Sequence, residues 1–261
     1  MAESFIGNGV SRPDFYIAAI GRSGSTILCN WLTSPPDQLV FVEPFFTRPS
    51  NPRLLRIQLA NFGLGVGDDE WARVDETAED RFRRIMWPRL EGRRWAFKEV
   101  LCEEHFKVVE AFAPPRVLIT VRNIGDVALS FFEKHRLQAN MDRFGDDWVI
   151  DYCMRESEGI LAFRALLEER GTPHLVLRYE DFTRSDEIRS EAAHFVSWGP
   201  GNSVDSHFSE FDRSFEIDRH GTAISGRLRQ RNERDLAPSE AAAAEAIEER
   251  CSSFQEAFGY R

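Results

Sequence analysis

The run Gly21-Arg22-Ser23-Gly24-Ser25-Thr26 joins a short apolar stretch, residues 14–20 (DFYIAAI), to a segment with helical spacing. Its two glycines let the backbone turn tightly and approach a ligand closely. Where such a loop opens a helix, the amides of Ser23, Gly24, Ser25 and Thr26 converge, and the helix N-terminus favours negative charge. Arg22 adds a planar guanidinium that grips oxygens in pairs. The chemistry is anion binding. Aligned with the nucleotide loop GxxxxGK[ST], Gly24 takes the second glycine and Thr26 the last position, while Ala19 stands at the first glycine and Ser25 at the lysine. The loop is thus P-loop-like but lacks the lysine that bridges nucleotide phosphates, which disfavours a magnesium–nucleotide site. Taken by itself, it also reads as a plain strand–helix turn.

A second constellation follows RVLITV, residues 116–121, where Arg122 stands at the place of the metal-binding acid of P-loop NTPases. A cation there reverses the electrostatics and asks for an anion. Ser130 falls in the early turns of the next helix, on the side that Arg122 can approach, so the two can hold a second phosphate. Read singly, Arg122 is as well explained by a carboxylate partner and Ser130 by a tolerated helix serine. Glu43 ends LVFVE, in an apolar setting of Phe41, Phe45 and Phe46 that suits a general base. Lys98, one of only three lysines, ends WAFK and can reach a sulfonate or phosphate. Glu99 beside it is its ion-pair partner or a second acid–base group, and the plain reading of that pair is a solvated salt bridge of about 0–1 kcal/mol. His105 and His135 are the histidine alternatives for a base, and neither ends a strand.

These groups need elements to carry them. Short apolar runs at 14–20, 39–42, 95–97, 116–121 and 174–177 read as buried strands. Helical spacing covers 25–32, 77–90, 126–136, 147–170, 185–197 and 238–258, with Gly171 and Pro173 closing the long fourth helix. Residues 198–227 read as loop. Strands alternating with helices predict an α/β fold, a single domain at 13–261 after an N-terminal tail at 1–12, with a central parallel sheet flanked by helices. Ligands in such folds sit beyond the carboxyl ends of the strands. The groups that follow the strands are the 21–26 loop, Glu43, Lys98, Arg122 and Tyr179.

Composition sets outer bounds. The 261 residues are 42% hydrophobic and 29% charged, enough for a sizeable core. A net charge of -10 argues against non-specific nucleic-acid binding. No apolar run approaches the roughly 20 residues of a membrane span, and residues 1–12 carry no signal pattern. A cytoplasmic protein is the expectation. Cys29, Cys102, Cys153 and Cys251 are too dispersed for a zinc site and read as buried thiols. The acids at 68–70 and 76–80 read as a solvated face.

GRSGST after the first strand and VRNIGDVALSFF, residues 121–132, together resemble the two phosphate-binding signatures of the sulfotransferases that use 3′-phosphoadenosine 5′-phosphosulfate (PAPS). The form RSGS is closer to carbohydrate-type and bacterial members than to cytosolic ones. LRYEDF, residues 177–182, is similar to the family's YED segment, whose tyrosine can approach the adenine. RHGTAISGR, residues 219–227, and the helix ending at Phe258-Gly259-Tyr260 resemble the terminal phosphate loop and closing helix. The resemblance covers about residues 14 to 260. Three positions depart from it: Ile124 and Phe132 in the second signature, and Ile27 where cytosolic members carry the aromatic that stacks on adenine.

The resemblance implies a P-loop NTPase-like sulfotransferase fold and transfer of the PAPS sulfuryl group to a hydroxyl of a carbohydrate or small-molecule acceptor, leaving PAP. Arg22, Ser23, Gly24, Ser25 and Thr26 would hold the 5′-phosphosulfate. Arg122 and Ser130, with Arg219, His220, Gly221 and Arg227 of a glycine-rich lid, would hold the 3′-phosphate, and Tyr179 is a candidate for the adenine. Arg229 and Arg231 read as exposed loop charges. Glu43 is the expected base, Arg22 and Lys98 the cations at the reacting group, and no divalent metal is required where arginine and backbone amides neutralise the charge. The alternatives are a phosphotransferase using magnesium–ATP and an inactive nucleotide-binding protein of this fold.

Overall fold

β-Branched and aromatic runs pair as one parallel sheet: β1 (Phe15–Ala19), β2 (Gln38–Val42), β3 (Arg94–Glu99), β4 (Val117–Val121) and β5 (His174–Arg178). Their spatial order is β2-β3-β1-β4-β5. The computed structural model describes residues 12–47, 52–71, 76–138, 145–201, 234 and 236–261. Every position of β1 and β4 is buried, as strands covered on both faces require. β5 lies at an edge and is mostly half-buried.

The chain leaves β1 through α1 (Ser25–Leu32) towards β2, and each later crossover runs the other way across the sheet. The direction therefore reverses at β1, which opens a crevice at its carboxyl end. Right-handed crossovers put α1 on one face, packed with α9 (Tyr179–Arg184) and α10 (Asp186–Val196). The opposite face carries α2 (Pro52–Asn61), α6 (Cys102–Phe112), α7 (Ile124–Leu137), α8 (Asp146–Glu169), α11 (Pro238–Arg250) and α12 (Ser252–Ala257). Its core is aromatic: Phe46 meets the rings of Phe82, Phe97 and Phe112 at centroid distances of 4.9, 5.1 and 6.0 Å. Each such ring contributes about 1.5–3 kcal/mol by burial.

The expected strands and most helices stand where the periodicity put them, with local differences of clear cause. α7 starts before Asp126 because the Asn123 side chain accepts from the amides of Gly125 (2.9 Å) and Asp126 (3.2 Å) and caps it. The helix expected at 77–90 is α4 (Ala78–Arg81), a π turn (Phe82–Met86) and α5 (Trp87–Leu90). The widening stops beside Pro88, which has no amide to continue the ladder. The terminal helix breaks at Cys251 into α11 and α12. Tyr179 opens a short helix, and α2, α3 (Asp68–Trp71) and α6 complete the described helices.

The acids at 68–80 are not simply solvated: Glu70 receives Arg89 at 2.7 and 2.8 Å, and Glu76 receives Arg84 twice at 2.6 Å. All four cysteines are buried. Among the described residues, no helix is long and apolar enough to cross a membrane. The tail at 1–11 and most of the 198–227 loop, with Arg219, His220, Gly221 and Arg227, lie outside the described residues, as do Arg229 and Arg231.

Candidate active site

The 21–26 loop is seated on two tyrosines. The Gly21 amide donates to Tyr152 Oη at 2.9 Å, and a Cβ at Gly21 would stand 2.6 Å from that oxygen. Tyr152 Oη in turn donates to the Val100 carbonyl at 3.3 Å, tying the loop to the end of β3. Burial holds the Tyr152 phenol well above its ordinary range, so it keeps the proton it donates. Gly24 has φ +80°, and a Cβ there would fall 2.1 Å from the Tyr179 ring, so only glycine fits. The Ser23 hydroxyl shares a hydrogen bond with Thr120 at 3.2 Å, both buried, which anchors the loop to β4. α1 opens at Ser25 with no side-chain cap. The Ile27 amide donates to the Gly24 carbonyl at 3.0 Å, which leaves the amides of Ser25 and Thr26 for water or an anion.

Arg22 crosses the crevice. Its backbone is left-handed (φ 68°), a conformation that costs a non-glycine residue ~1–2 kcal/mol. Its Nε donates to Ser130 Oγ on α7 at 2.9 Å, and Arg122 Nη1 donates to the Arg22 carbonyl at 3.3 Å. The sequence reading assigned Arg22 to one anion and Ser130 to another. The structure brings these residues together: the left-handed turn sets Arg22 Nε against Ser130 Oγ. Burial, then the charge of Arg122, lowers the Arg22 guanidinium to about 10, which leaves it cationic at neutral pH. Arg122 has no carboxylate within ion-pair distance among the described residues, and its buried Nε has no hydrogen-bond partner. The carboxylate partner considered for Arg122 is therefore absent from that set. Two cations side by side in a partly buried crevice favour a multiply charged anion.

Tyr179 is placed differently from its expected role. It opens α9 directly after β5, so its ring tucks under Gly24 with the Arg122 guanidinium 4.7 Å above its centroid. Only 7% exposed, it forms a floor beneath the loop.

On the other side of β1, Glu43 and Lys98 form a buried pair. Lys98 Nζ stands 2.8 Å from Glu43 Oε1, with the two residues 1% and 9% exposed. The plain alternative for Lys98, beside its expected place at the reacting group, was a solvated bridge to Glu99 at a strand end. Instead Lys98 lies within β3, level with Ile17 and Val42. Consecutive strand residues point to opposite faces, so Lys98 and Glu99 cannot meet. Removing one partner of a buried pair costs ~3–5 kcal/mol, far more than an exposed bridge is worth. Glu99 is fully buried on the other face, and its Oε1 accepts from the Phe45 amide at 2.7 Å. Burial, then the charge of Glu43, holds its carboxyl well above the ordinary range. Glu43 also lies within electrostatic reach of Arg22.

The histidine alternatives sit in the core. His105 is fully buried between Tyr16 Oη (2.6 Å) and the Ala19 carbonyl (3.2 Å), and burial lowers it to about 3. His135 packs against the Phe131 and Trp148 rings.

Four further residues border the site. Arg234 pairs with Glu133 at 3.3 Å, and its charge acts on Arg22 and Tyr179. Glu180 accepts from the Asn123 amide (3.2 Å) and from Tyr260 Oη (2.9 Å), binding the Arg122–Asn123 turn to the C-terminus. Gln255 accepts from the Ile124 amide at 3.4 Å, and Tyr152 holds Gly21. Arg234 lies in a stretch without periodicity, and Tyr152 and Gln255 look like ordinary residues on helix faces. Glu180 alone carried a signal, inside the YED segment.

No family model matches the sequence, and no curated protein matches it. Solved structures do match in fold. The sulfotransferase domain of the Synechococcus PCC 7002 olefin synthase superposes with a TM-score of 0.58 at 16% identity, over 99% of this chain and 98% of that one. The sulfotransferase domain from the curacin biosynthetic pathway gives 0.56 at 13%, over 97% and 99%. Sulfotransferase STF9 from Mycobacterium avium gives 0.53 at 12%, over 95% of this chain and 77% of that one. The chain thus has the α/β sulfotransferase fold that its motifs led one to expect.

Proposed function

We propose that the chain, through a catalytic domain at 13–261, transfers the sulfuryl group of PAPS to a hydroxyl of a small-molecule or carbohydrate acceptor. The observation that carries this reading is the meeting of Arg22 and Arg122 beside the uncapped N-terminus of α1, one crevice away from a buried carboxylate. The buried Arg122 Nε without a partner and the Ser25 and Thr26 amides at the start of α1 suit a donor with two anionic ends. PAPS supplies the sulfuryl group, and everything else falls to the protein.

In-line transfer needs positive charge on the leaving side and a base on the acceptor side. The amides of Gly24, Ser25 and Thr26 and the Arg22 guanidinium neutralise charge gathering on the leaving phosphate. Arg122 and Ser130 hold the 3′-phosphate, with Arg22 linking both groups. The 219–227 segment, with Arg219, His220, Gly221 and Arg227, is included as the lid over that phosphate. Glu43 takes the acceptor proton at its carboxylate, and Lys98 keeps that carboxylate oriented as its counter-ion. Sulfotransferase neighbours in fold favour this reading over a magnesium–ATP phosphotransferase, as does a cation at position 122.

The test is a pair of titrations followed by a transfer assay. Calorimetry is expected to show PAP binding without added metal and much weaker binding of magnesium–ATP. Labelled sulfate from PAPS is then expected on at least one hydroxyl compound of an acceptor panel. Tighter binding of magnesium–ATP than of PAP would overturn the reading.

A further inference from the structure

The turn Glu43-Pro44-Phe45 bends through left-handed backbone at two non-glycine residues, φ 49° at Glu43 and φ 50° at Phe45. Neighbouring residues of β3 hold it there from both faces of the sheet. The Lys98 carbonyl accepts from the Glu43 amide at 2.8 Å, and Lys98 Nζ bonds Glu43 Oε1 at 2.8 Å. From the opposite face, Glu99 Oε1 accepts from the Phe45 amide at 2.7 Å. Glu99 has no exposed surface, and its second oxygen, Oε2, is buried without a hydrogen-bond partner. A carboxyl in that position touches neither solvent nor the crevice, so its use lies in the single bond it accepts.

We infer that Glu99 is a positioning residue: by fixing the Phe45 amide through Oε1, it locks the strained turn that aims the Glu43 carboxylate into the crevice. The inference rests on the reading of Glu43 as the base. A buried carboxylate oxygen without a partner is costly when ionised. Burial, reinforced by Glu43 and Glu104 and opposed by the Phe45 amide and Lys98, raises the carboxyl well above its ordinary range. That shift favours the uncharged form, which grips the turn through Oε1 and adds no second negative charge beside Glu43. The role needs an acceptor atom at that reach, and it needs no proton transfer.

Two substitutions separate a strut from an acid. Glu99→Gln keeps an acceptor oxygen at the same length. Glu99→Asp keeps a carboxyl but withdraws it by one carbon. The expected result is that the Gln variant retains kcat within about threefold, while the Asp variant loses about 10- to 100-fold in kcat, the scale of a small displacement of a reacting group. PAP affinity and the donor KM stay unchanged in both. Hydrogen exchange at the amides of Glu43, Phe45 and Phe46 is expected to speed up in Glu99→Asp and to stay slow in Glu99→Gln. The reverse order, with Asp active and Gln inactive, would make Glu99 a proton donor and overturn the inference, as would wild-type kcat and exchange in both variants. Absence of any sulfuryl transfer by the wild-type protein would instead sink the proposed function, and the exchange measurement would still decide whether Glu99 holds the turn.

Discussion

The loop at 21–26 and the Glu43–Phe45 turn both leave the sheet at its carboxyl rim, and both bend through left-handed backbone. They are secured by different means. The loop draws on glycine, on the amides of the helix it opens, and on tyrosine floors under Gly21 and Gly24. The turn draws on ionisable side chains of β3, fifty-odd residues away, that are buried to reach it. The loop is pre-shaped for charge to arrive from outside. The turn carries its own charges, already matched. A loop shaped largely by backbone is expected to tolerate the loss of a single supporting side chain better than a turn held by one buried pair.

That contrast can be broken by substitution. The largest effect is expected at the turn: Glu43→Gln loses about 10²- to 10⁴-fold in turnover, the usual contribution of a general base, and keeps PAP affinity. A fully active Gln variant, measured in single turnover, would remove Glu43 from the chemistry. Next comes Lys98→Met, which strands the Glu43 charge in the core and lowers unfolding stability by ~3–5 kcal/mol in denaturant melts. Adding Glu43→Gln to that variant is expected to restore much of the loss. If the double variant is no more stable than Lys98→Met, the pair is not what holds the turn.

On the loop side the expected effects are smaller. Tyr152→Phe removes the acceptor of the Gly21 amide and weakens PAP binding by ~1–3 kcal/mol, the cost of a buried amide left unpaired. Unchanged affinity would mean that the loop does not rely on its floor. The pH dependence is smaller still near neutrality. Because Arg22 titrates near about 10, PAP affinity is expected to hold between about pH 7 and 9 and to fall as the pH passes about 10, where the guanidinium loses its charge. Affinity that already falls below about pH 8 would point to a different cation.

The same contrast explains how much could be read from the sequence. Glycine, serine and arginine between an apolar run and a helical segment report on their own neighbours, so the loop, α1 and the strands were legible. Asn123 as a cap was not singled out, and α7 accordingly began earlier than expected. Glu43 and Lys98 were both legible as polar groups at strand ends. Their pairing was not, because it depends on which strands become neighbours: β2 beside β3, with Val42 level with Lys98. Adjacency in the chain suggested Glu99 as the partner, and strand alternation forbids it. The place of Tyr179 beneath the loop was hidden for a similar reason, since only the packed fold brings Gly24 over its ring.

The central claim is that Arg22 and Arg122 form one donor-binding surface. Calorimetric titration of PAP into Arg22→Ala, Arg122→Ala and the double variant tests it most directly. The account predicts a loss of about 10- to 100-fold in each single variant, the scale of a charge-assisted contact, and a double-variant loss that departs from the sum because Arg122 also holds the Arg22 carbonyl. Wild-type affinity in both single variants would contradict it.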